Sequence, residues 1–228
     1  SIPRYLSTSQ LNSRTVIAID GYASTGKTTI AKMLSRHYQI PFIDSGALYR
    51  AITFYALEEG FFKKDKLDQI SLNHALNTLK LKYDTETGNI YLNGENISQK
   101  IRLSEVSNNV STVSALNFVR EFLFRQLRNI TSEKGLIIDG RDIGTVVFPE
   151  ADYKFFFIAR LDVRARRRHE ELRSKGQKST FEEVLNNLIL RDQIDSSRDI
   201  APLRMAEDAF EINTSEATTD QVFTDLIN

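Results

Sequence analysis

One eight-residue stretch constrains what this sequence can fold into more than any other. It reads Gly-Tyr-Ala-Ser-Thr-Gly-Lys-Thr at residues 21–28, after an apolar run at residues 16–19. Ile30, Leu34 and Tyr38 follow it at helical spacing. A strand, a glycine-containing loop and a helix in this order are typical of a phosphate-binding loop, whose N–H groups and helix N-terminus surround an anion. The sequence therefore predicts that the chain binds a nucleoside triphosphate.

The loop also predicts individual roles. The residues expected to hold the triphosphate are Gly21, Tyr22, Ala23, Ser24, Thr25, Gly26, Lys27, Thr28 and Thr29. Lys27 is expected to reach the β- and γ-phosphates, and the Thr28 hydroxyl is expected to ligate the Mg²⁺ that the triphosphate carries. Asp139 ends a second apolar run and is the other residue expected in the metal site. The predicted cofactor is therefore Mg²⁺ bound with the triphosphate.

Composition limits the class of protein. The 228 residues suffice for one large α/β domain, and the absence of cysteine excludes disulfides and thiol catalysis. Thirty basic and thirty acidic side chains argue against a general nucleic-acid-binding protein. No run approaches the ~20 apolar residues of a membrane span, and residues 1–5 lack the apolar segment of a signal peptide. We therefore expect a cytoplasmic protein, monomeric, without membrane or nucleic-acid partners.

Short apolar runs predict a parallel sheet. Helical patterns separate them, as in sheets covered on both faces. The runs lie at residues 15–20, 41–44, 136–139, 153–159 and 209–213. Ligands of such sheets bind beyond the carboxyl ends of the strands, where the phosphate loop and residues 44–46 and 139–142 fall.

One segment departs from this alternation of strands and helices. Leu79, Leu81 and Tyr83 alternate with polar residues, and Ile90 and Leu92 do the same after a turn. This pattern predicts a small antiparallel meander. Because it is too polar for a central sheet, we place it in an inserted lobe at about residues 62–104.

Phosphate-binding loops serve switches, hydrolases and kinases alike, so other residues must decide between them. The sequence has no Asn-Lys pair, which the base-reading motif of guanine-specific switches requires. A hydrolytic ATPase usually has a glutamate after the strand-end aspartate, whereas Asp139 is followed by Gly140 and Arg141. An anion-binding group at this point favours transfer to a bound phosphate over hydrolysis.

Further arginines support a second anion site. Guanidinium groups hold phosphate in a bidentate fork and spread the charge of a transferring phosphoryl group. Those near the predicted ligand edge are Arg50, Arg141, Arg191 and Arg198, and they are interleaved with Asp44, Asp139, Asp142 and Asp195. Any single one could be a solvated surface cation, but the combination favours a kinase.

A helix is predicted after residue 180, where Thr180 and Glu183 form a capping box. Arg191, Asp195 and Arg198 fall on one helix face. The apolar residues expected to pack on the core from the other face are Val184, Leu185, Leu188 and Ile189. Two interpretations stay open: a surface ion pair worth ~0.3–0.5 kcal/mol, or an aspartate that accepts from sugar hydroxyls between two phosphate-binding arginines.

The segment at residues 160–178 is strongly basic, with eight basic and three acidic side chains. It could bind nucleic acid or be a solvated face. We favour a mobile lid that hinges at residues 174–176 and brings Arg164, Arg167 and Arg168 onto the triphosphate while excluding water.

Four segments together resemble one enzyme family. They lie at residues 21–28, 43–50 (Ile-Asp-Ser-Gly-Ala-Leu-Tyr-Arg), 138–149 (Ile-Asp-Gly-Arg-Asp-Ile-Gly-Thr-Val-Val-Phe-Pro) and 200–203 (Ile-Ala-Pro-Leu). In this order, from about residue 14 onward, the sequence resembles bacterial-type cytidylate kinase. The Asp-Gly-Arg-Asp-x-Gly-Thr block is very specific to that family, whereas the phosphate loop is not. Tyr22 departs from it, since many members carry proline there, and Thr28-Thr29 stands where Gly-Thr often follows the lysine.

The resemblance implies an α/β fold of the P-loop nucleoside triphosphate hydrolase type. Its five-stranded parallel sheet is flanked by helices, with a lid and a small antiparallel sheet inserted in the monophosphate-binding lobe. The expected divisions are an N-terminal tail at 1–14 and a single kinase domain at 15–228, with its core at 15–47, 105–159 and 179–228, the lobe at about 48–104 and the lid at about 160–178.

The resemblance also implies an ATP-dependent kinase that acts on CMP or dCMP. Around the acceptor phosphate it implies Ser45, Arg50 and Arg141. Around the cytosine it implies Ser111, Arg120 and Asp142. At the sugar and phosphate it implies Arg191, Asp195 and Arg198. The residues expected to act in catalysis are Lys27, Arg141, Arg167 and Arg168.

Two alternative functions stay open. One is a kinase for another small acceptor such as UMP. The other is a nucleotide-dependent regulatory or RNA-binding module that uses the basic segment. Cytosine offers an N4 amine that a carboxylate such as Asp142 can accept, whereas uracil presents a carbonyl there, so the base chemistry favours CMP.

Overall fold

The computed structural model describes residues 6, 11–12, 14–130 and 135–228. Residues 1–5 lie outside the described residues, as does most of the predicted tail at residues 1–14. Within that tail, however, Leu6 is fully buried, and its N–H donates to the carbonyl of Leu226 at 3.2 Å. One residue of the segment that carried little sequence signal is therefore part of the core.

The described residues form ten strands and eight α-helices. The strands are β1 Val16–Gly21, β2 Phe42–Asp44, β3 Phe62–Lys63, β4 Lys66–Leu67, β5 Leu81–Tyr83, β6 Ile90–Leu92, β7 Glu95–Asn96, β8 Leu136–Gly140, β9 Tyr153–Ile158 and β10 Phe210–Asn213. The helices are α1 Lys27–Tyr38, α2 Ser45–Glu58, α3 Gln69–Leu76, α4 Ser104–Ser114, α5 Asn117–Asn129, α6 Leu161–Ser174, α7 Phe181–Ser197 and α8 Thr219–Ile227. Among the described helices, none has the length and apolar character needed to cross a bilayer.

The central sheet confirms the five predicted strands. Its order is β10-β9-β1-β8-β2, and β1 pairs in parallel with both β8 and β9. The strands are parallel because helices connect them, and each observed strand begins and ends within two residues of its predicted bounds. The phosphate loop and the segment after residue 139 therefore leave neighbouring strands at the same edge, since Ile19 is in register with Asp139.

Residues of the chain group into two compact units, residues 1–43 with 131–228 and residues 44–130. In the first unit, the core lies between the sheet and two helices. Alternate residues of the strands, such as Ile17, Ile19 and Phe155, are buried against Ile30 of α1 and Val222 of α8. Continuous apolar strands of this kind form because both faces of the sheet are covered.

The second unit contains the predicted meander. Strands β5, β6 and β7 form a three-stranded antiparallel sheet, with Leu81 opposite Leu92 and Tyr91 opposite Asn96. A second hairpin, β3–β4, was not predicted. It turns through Lys64 and Asp65 at φ values of 50° and 63°, without the glycine that usually marks such a turn.

Helix α7 begins with the predicted capping box, since Glu183 N–H donates to Thr180 Oγ1 at 3.1 Å and Thr180 N–H to Glu183 Oε2 at 2.9 Å. The expectation that apolar and charged residues occupy opposite faces is wrong. The buried residues of the helix are Val184, Leu188, Arg191 and Asp195, which form one stripe. Arg191 and Asp195 therefore extend the buried stripe of the helix, and they are not solvated surface charges.

The turn from β1 into the phosphate loop depends on Gly21. Its φ is +151°, and a Cβ at this position would lie 2.3 Å from the carbonyl oxygen of Phe157 on β9. The close approach is forced by strand pairing, because Gly21 is in register with Phe157. Only glycine lets the loop begin directly at the end of a paired strand.

We expect Gly21→Ala to lower the free energy of unfolding by at least about 2 kcal/mol, since the methyl group would displace a paired backbone. Gly60→Ala is the matched control, because Gly60 also has a positive φ (70°) but a Cβ added there would meet nothing within 4 Å. That variant should lose only about 1 kcal/mol. Urea unfolding measures both, and equal losses would contradict the steric explanation.

Candidate active site

The phosphate loop has the geometry of an anion-binding turn. Ser24 and Gly26 have φ values of 60° and 86°, and α1 begins at the next residue, Lys27. The hydroxyl of Thr25 donates to the carbonyl of Tyr22 at 2.9 Å, which closes the loop on itself. Left-handed residues directly before a helix N-terminus are the backbone conformation from which N–H groups can surround a phosphate.

The two residues predicted for the metal site are adjacent. The hydroxyl of Thr28 donates to Asp139 Oδ2, and Lys27 Nζ lies 3.6 Å from the same oxygen. Asp139 has no solvent exposure. Hydroxyl and carboxylate oxygens are ligands that suit Mg²⁺, so the residues present fit a metal that arrives with phosphate. Within the described chain, no group of three or more His, Cys, Asp or Glu side chains is arranged to hold a metal ion by itself.

A cavity of about 510 Å³ lies beside the loop in the first unit. Its lining includes Thr29, Arg167, Arg168, Thr214 and Thr218. Thr214 is buried, and its hydroxyl donates to the carbonyl of Thr25 at 2.8 Å, which attaches this wall to the phosphate loop. Sequence reasoning missed the segment at residues 214–222, because an ordinary strand–turn–helix connection carries no motif.

The predicted lid arginines lie on α6 and contact protein groups. Arg164 is buried and forms a bidentate salt bridge with Asp192. Its Nη1 lies 3.2 Å from Oδ1 and its Nη2 lies 2.7 Å from Oδ2. Its guanidinium stacks 5.0 Å from the ring centroid of Tyr22, the residue that departs from the family pattern. Arg167 donates to the carbonyl and the hydroxyl of Thr214. The role of these arginines as a mobile lid stays a prediction.

Arg168 belongs to a charged network on the same helix. It donates to Glu171 Oε2 at 2.9 Å, and Lys175 Nζ lies 2.6 Å from Glu171 Oε1. Burial raises the pKa of Glu171, but the hydrogen bond from Lys175 and the charge of Arg168 outweigh it and lower the pKa to about 2. Glu171 is therefore ionised at neutral pH and orients Arg168 along the cavity wall.

The second predicted anion site has a carboxylate between two guanidinium groups. Arg141 Nε donates to Asp195 Oδ2 at 3.2 Å, and Arg198 Nη1 lies 3.5 Å from Asp195 Oδ1. Asp195 and Arg198 have only 8% and 4% of their side chains exposed. Arg198 lies just beyond α7, and its Nε donates to the carbonyl of Ala201. The sequence left two interpretations of Asp195 open, and this burial excludes the first, a solvent-exposed surface ion pair.

Four further predicted CMP-binding residues lie in the second unit. Ser45 and Arg50 are on α2, Ser111 is buried on α4 and Arg120 is buried on α5. Arg120 donates to the carbonyl of Ser114 at 2.9 Å, and its guanidinium lies 5.0 Å from the ring centroid of Tyr49.

The hydroxyl of Ser114 in turn donates to the carbonyl of Ser111, so Ser111 and Arg120 both contact Ser114. Their assignment to CMP stays a prediction.

Asp44 has a structural role that the sequence left undecided. Its Oδ1 accepts from the N–H of Ala47 at 3.1 Å and caps α2, and its Oδ2 lies 3.2 Å from Arg102 Nη2. The hydroxyl of Tyr83 accepts from the N–H of Asp44 at 3.1 Å. Strand β5 of the small sheet is thereby fastened to the start of α2, where Ser45 is the first residue.

Sequence reasoning missed Asp20, the last residue before the phosphate loop. It is buried, and its two carboxylate oxygens accept from the N–H groups of Ile143 and Gly144, each at 2.8 Å. Those amides begin a π-helical turn, Ile143–Val147, which directly follows Arg141 and Asp142. The only available signal was an acidic residue at the end of an apolar strand.

The fold and these contacts define a nucleotide-binding protein of the phosphate-loop class. The sequence matches the family model described as cytidylate kinase over residues 17–228. It is 47% identical to the cytidylate kinase of Bacteroides fragilis over 206 residues, which cover 89% of this chain and 90% of that protein.

A cytidylate kinase of Clostridioides difficile is 44% identical over 213 residues, 93% of this chain and 96% of its own. The chain belongs to the cytidylate kinase family.

The burial of Asp20 predicts a pH dependence. Burial is the main reason that its pKa is raised from 3.8 to about 7. The hydrogen bonds from Gly144 and Ile143 act in the opposite direction but are outweighed. The folded state therefore binds this proton more tightly than the unfolded state, and stability falls as the pH rises between these two values.

We expect the difference in unfolding free energy between the wild type and Asp20→Asn to fall by up to about 1.4 kcal/mol per pH unit from about pH 4 to 7, and to be constant above. Urea unfolding across this range measures it. Asp152→Asn, which removes an exposed carboxylate from the N–H of Val16, is measured alongside as the matched control. A pH-independent difference for Asp20→Asn would contradict the assignment.

Proposed function

We propose that this protein transfers the γ-phosphoryl group of ATP to CMP or dCMP and releases ADP with CDP or dCDP. The observation that carries the proposal is the end of β8. Asp139 contacts Lys27 and Thr28 of the phosphate loop, and Arg141, two residues later, contacts Asp195. One strand end therefore supplies side chains both to the donor loop and to the second anion cluster. Family membership supports the same reaction.

The donor side rests on the phosphate loop, residues 21–29. Lys27 would neutralise the β- and γ-phosphates, and Thr28 with Asp139 would hold Mg²⁺, which neutralises the charge that develops during transfer. The cavity beside Thr214 has room for a nucleoside, and we propose that it takes the base of ATP. Arg167 and Arg168 line that cavity and would act on the triphosphate.

The acceptor side rests on arginines that are already paired. Arg141, Arg191 and Arg198, grouped with Asp195, would bind the phosphate and sugar of the monophosphate. An acceptor phosphate is nucleophilic at neutral pH, so no general base is required. Catalysis then consists of aligning the acceptor oxygen with the γ-phosphorus and stabilising the charge in transfer, to which Arg141 would contribute.

Family membership also supports Ser45 and Arg50 in acceptor binding, since a hydroxyl and a guanidinium suit a phosphate. The hydroxyl of Ser111 and the guanidinium of Arg120 suit the N3 and O2 acceptors of cytosine. In the first unit, the carboxylate of Asp142 suits the N4 amine. Uracil would present a carbonyl to that carboxylate, which leaves a buried polar group mismatched and costs strongly in discrimination.

We also propose that the protein works as a cytoplasmic monomer. A chain without cysteine suits a reducing compartment, and its zero net charge disfavours general binding to nucleic acid. The contacts of Arg164 and Arg167 with Asp192 and Thr214 also leave the basic segment less available to RNA than its composition indicates.

The proposal is tested by a coupled assay with ATP over all ribo- and deoxyribonucleoside monophosphates. We expect the highest kcat/KM for CMP and dCMP. A preference for UMP would contradict the base assignment. Titration with single-stranded RNA over a range of salt concentrations tests the alternative, since tight binding that weakens steeply with salt, without turnover of CMP, would support an RNA-binding module instead.

Lys27→Ala should lower kcat by at least about a hundredfold, because a positive charge next to the transferring group is lost. Lys32→Ala is the matched control, since Lys32 is exposed on the same helix. Because Lys27 also lies near the buried Asp139, urea unfolding should accompany the kinetics. Turnover of folded Lys27→Ala at the wild-type rate would contradict its role.

A further inference from the structure

We infer that Asp20 is a positioning residue that sets the preference for CMP over UMP by holding the loop that carries Asp142. The inference rests on the proposed function and adds a residue to it. Asp20 lies at the end of β1, on the donor side of the site, and its carboxylate reaches the first two amides after Asp142. We therefore assign it a role that acts through the loop.

The two hydrogen bonds are an unusual form of helix capping. The first N–H groups of any helix need acceptors, and the N-cap residue normally supplies one from its own side chain. Here the N-cap residue is Asp142, and its side chain makes no capping hydrogen bond. Asp20 caps the turn from a different strand, with one oxygen for Ile143 and the other for Gly144, each at 2.8 Å.

The arrangement holds the backbone that directly follows Asp142. The turn it caps is π-helical: the carbonyl of Asp142 accepts from both Val146 and Val147, at 2.9 and 3.1 Å. Gly144 packs closely against two side chains, because a Cβ added there would lie 3.0 Å from Lys154 Cδ and 3.4 Å from Asp20 Oδ2. A base-reading carboxylate gains selectivity only if its position is fixed, and Asp20 provides that fixation.

Asp20 is a buried acidic residue with a like charge nearby. Asp20 and Asp142 repel each other enough to affect the pKa of Asp20, and burial alone disfavours its ionised form. The two amide donors offset only part of these costs, since the pKa of Asp20 remains raised to about 7. An asparagine has the same shape, but it can accept at one atom only and would turn its NH₂ group toward the other amide.

The test is the ratio of kcat/KM for CMP to kcat/KM for UMP. Loss of folded protein or of ATP affinity scales both values alike, so a merely structural role leaves the ratio unchanged. We expect Asp20→Asn to lower the ratio about tenfold or more. Asp152→Asn, which removes a carboxylate charge next to the N–H of Val16 at the opposite end of β1, should keep the ratio within about twofold of the wild type.

A double-mutant cycle shows whether Asp20 acts through Asp142. Asp142→Ala should lower the ratio by itself, and adding Asp20→Asn should then lower it no further, because no carboxylate remains to be positioned. If Asp20→Asn gives no folded enzyme, Asp20→Glu takes its place, since an added methylene shifts the carboxylate and should also lower the ratio.

Two results would overturn the inference: an unchanged ratio in folded Asp20→Asn or Asp20→Glu, or an equal further fall in the Asp142→Ala background. Either result is distinct from a failure of the proposed function, because the proposed function is tested by the substrate preference of the wild type alone. A wild-type enzyme that prefers CMP, together with a variant whose ratio does not change, would refute the role of Asp20 and leave the proposed function standing.

Discussion

The carboxylate of Asp139 has no solvent exposure, and the phosphate loop is built around it. A buried carboxylate costs several kcal/mol unless cations and hydroxyls compensate it, and Lys27 and Thr28 both do so here. Because β8 pairs in register with β1, the loop that leaves β1 must pass this charge. The same contacts that stabilise the loop would, in the proposed function, hold an ammonium and a hydroxyl in place for a triphosphate and its metal.

In the candidate acceptor site, too, a buried carboxylate holds cationic groups in place. Arg141 and Arg198 are held by the single carboxylate of Asp195, which keeps two guanidinium groups close together before any phosphate is present. Without that carboxylate, the positive charges of Arg141 and Arg198 would repel each other. An incoming phosphate would then meet donors whose positions are already fixed, so less side-chain freedom is lost on binding. The backbone of α7 gains as well, because the carbonyl of Asp195 accepts from the N–H of Leu203.

Much of the fold could be predicted because its signals are local. Apolar runs gave the five central strands, and Thr180 with Glu183 gave the start of α7. The errors arose where partners are distant in the sequence. Arg191 and Asp195 were expected opposite the apolar face, yet they share it, because burial depends on ion partners that periodicity does not reveal. The hairpin β3–β4 and the buried Leu6 had no local signal.

The sequence by itself determined the class of sheet, the phosphate loop and the residue types that meet anions, because these depend on spacing along a few consecutive residues. Only the tertiary structure decided which charges pair. The contacts of Asp20 with Gly144, of Arg164 with Asp192 and Tyr22, and of Thr214 with Thr25 join residues more than a hundred positions apart or on different elements. Such contacts follow from strand register and helix packing, and no local pattern specifies them.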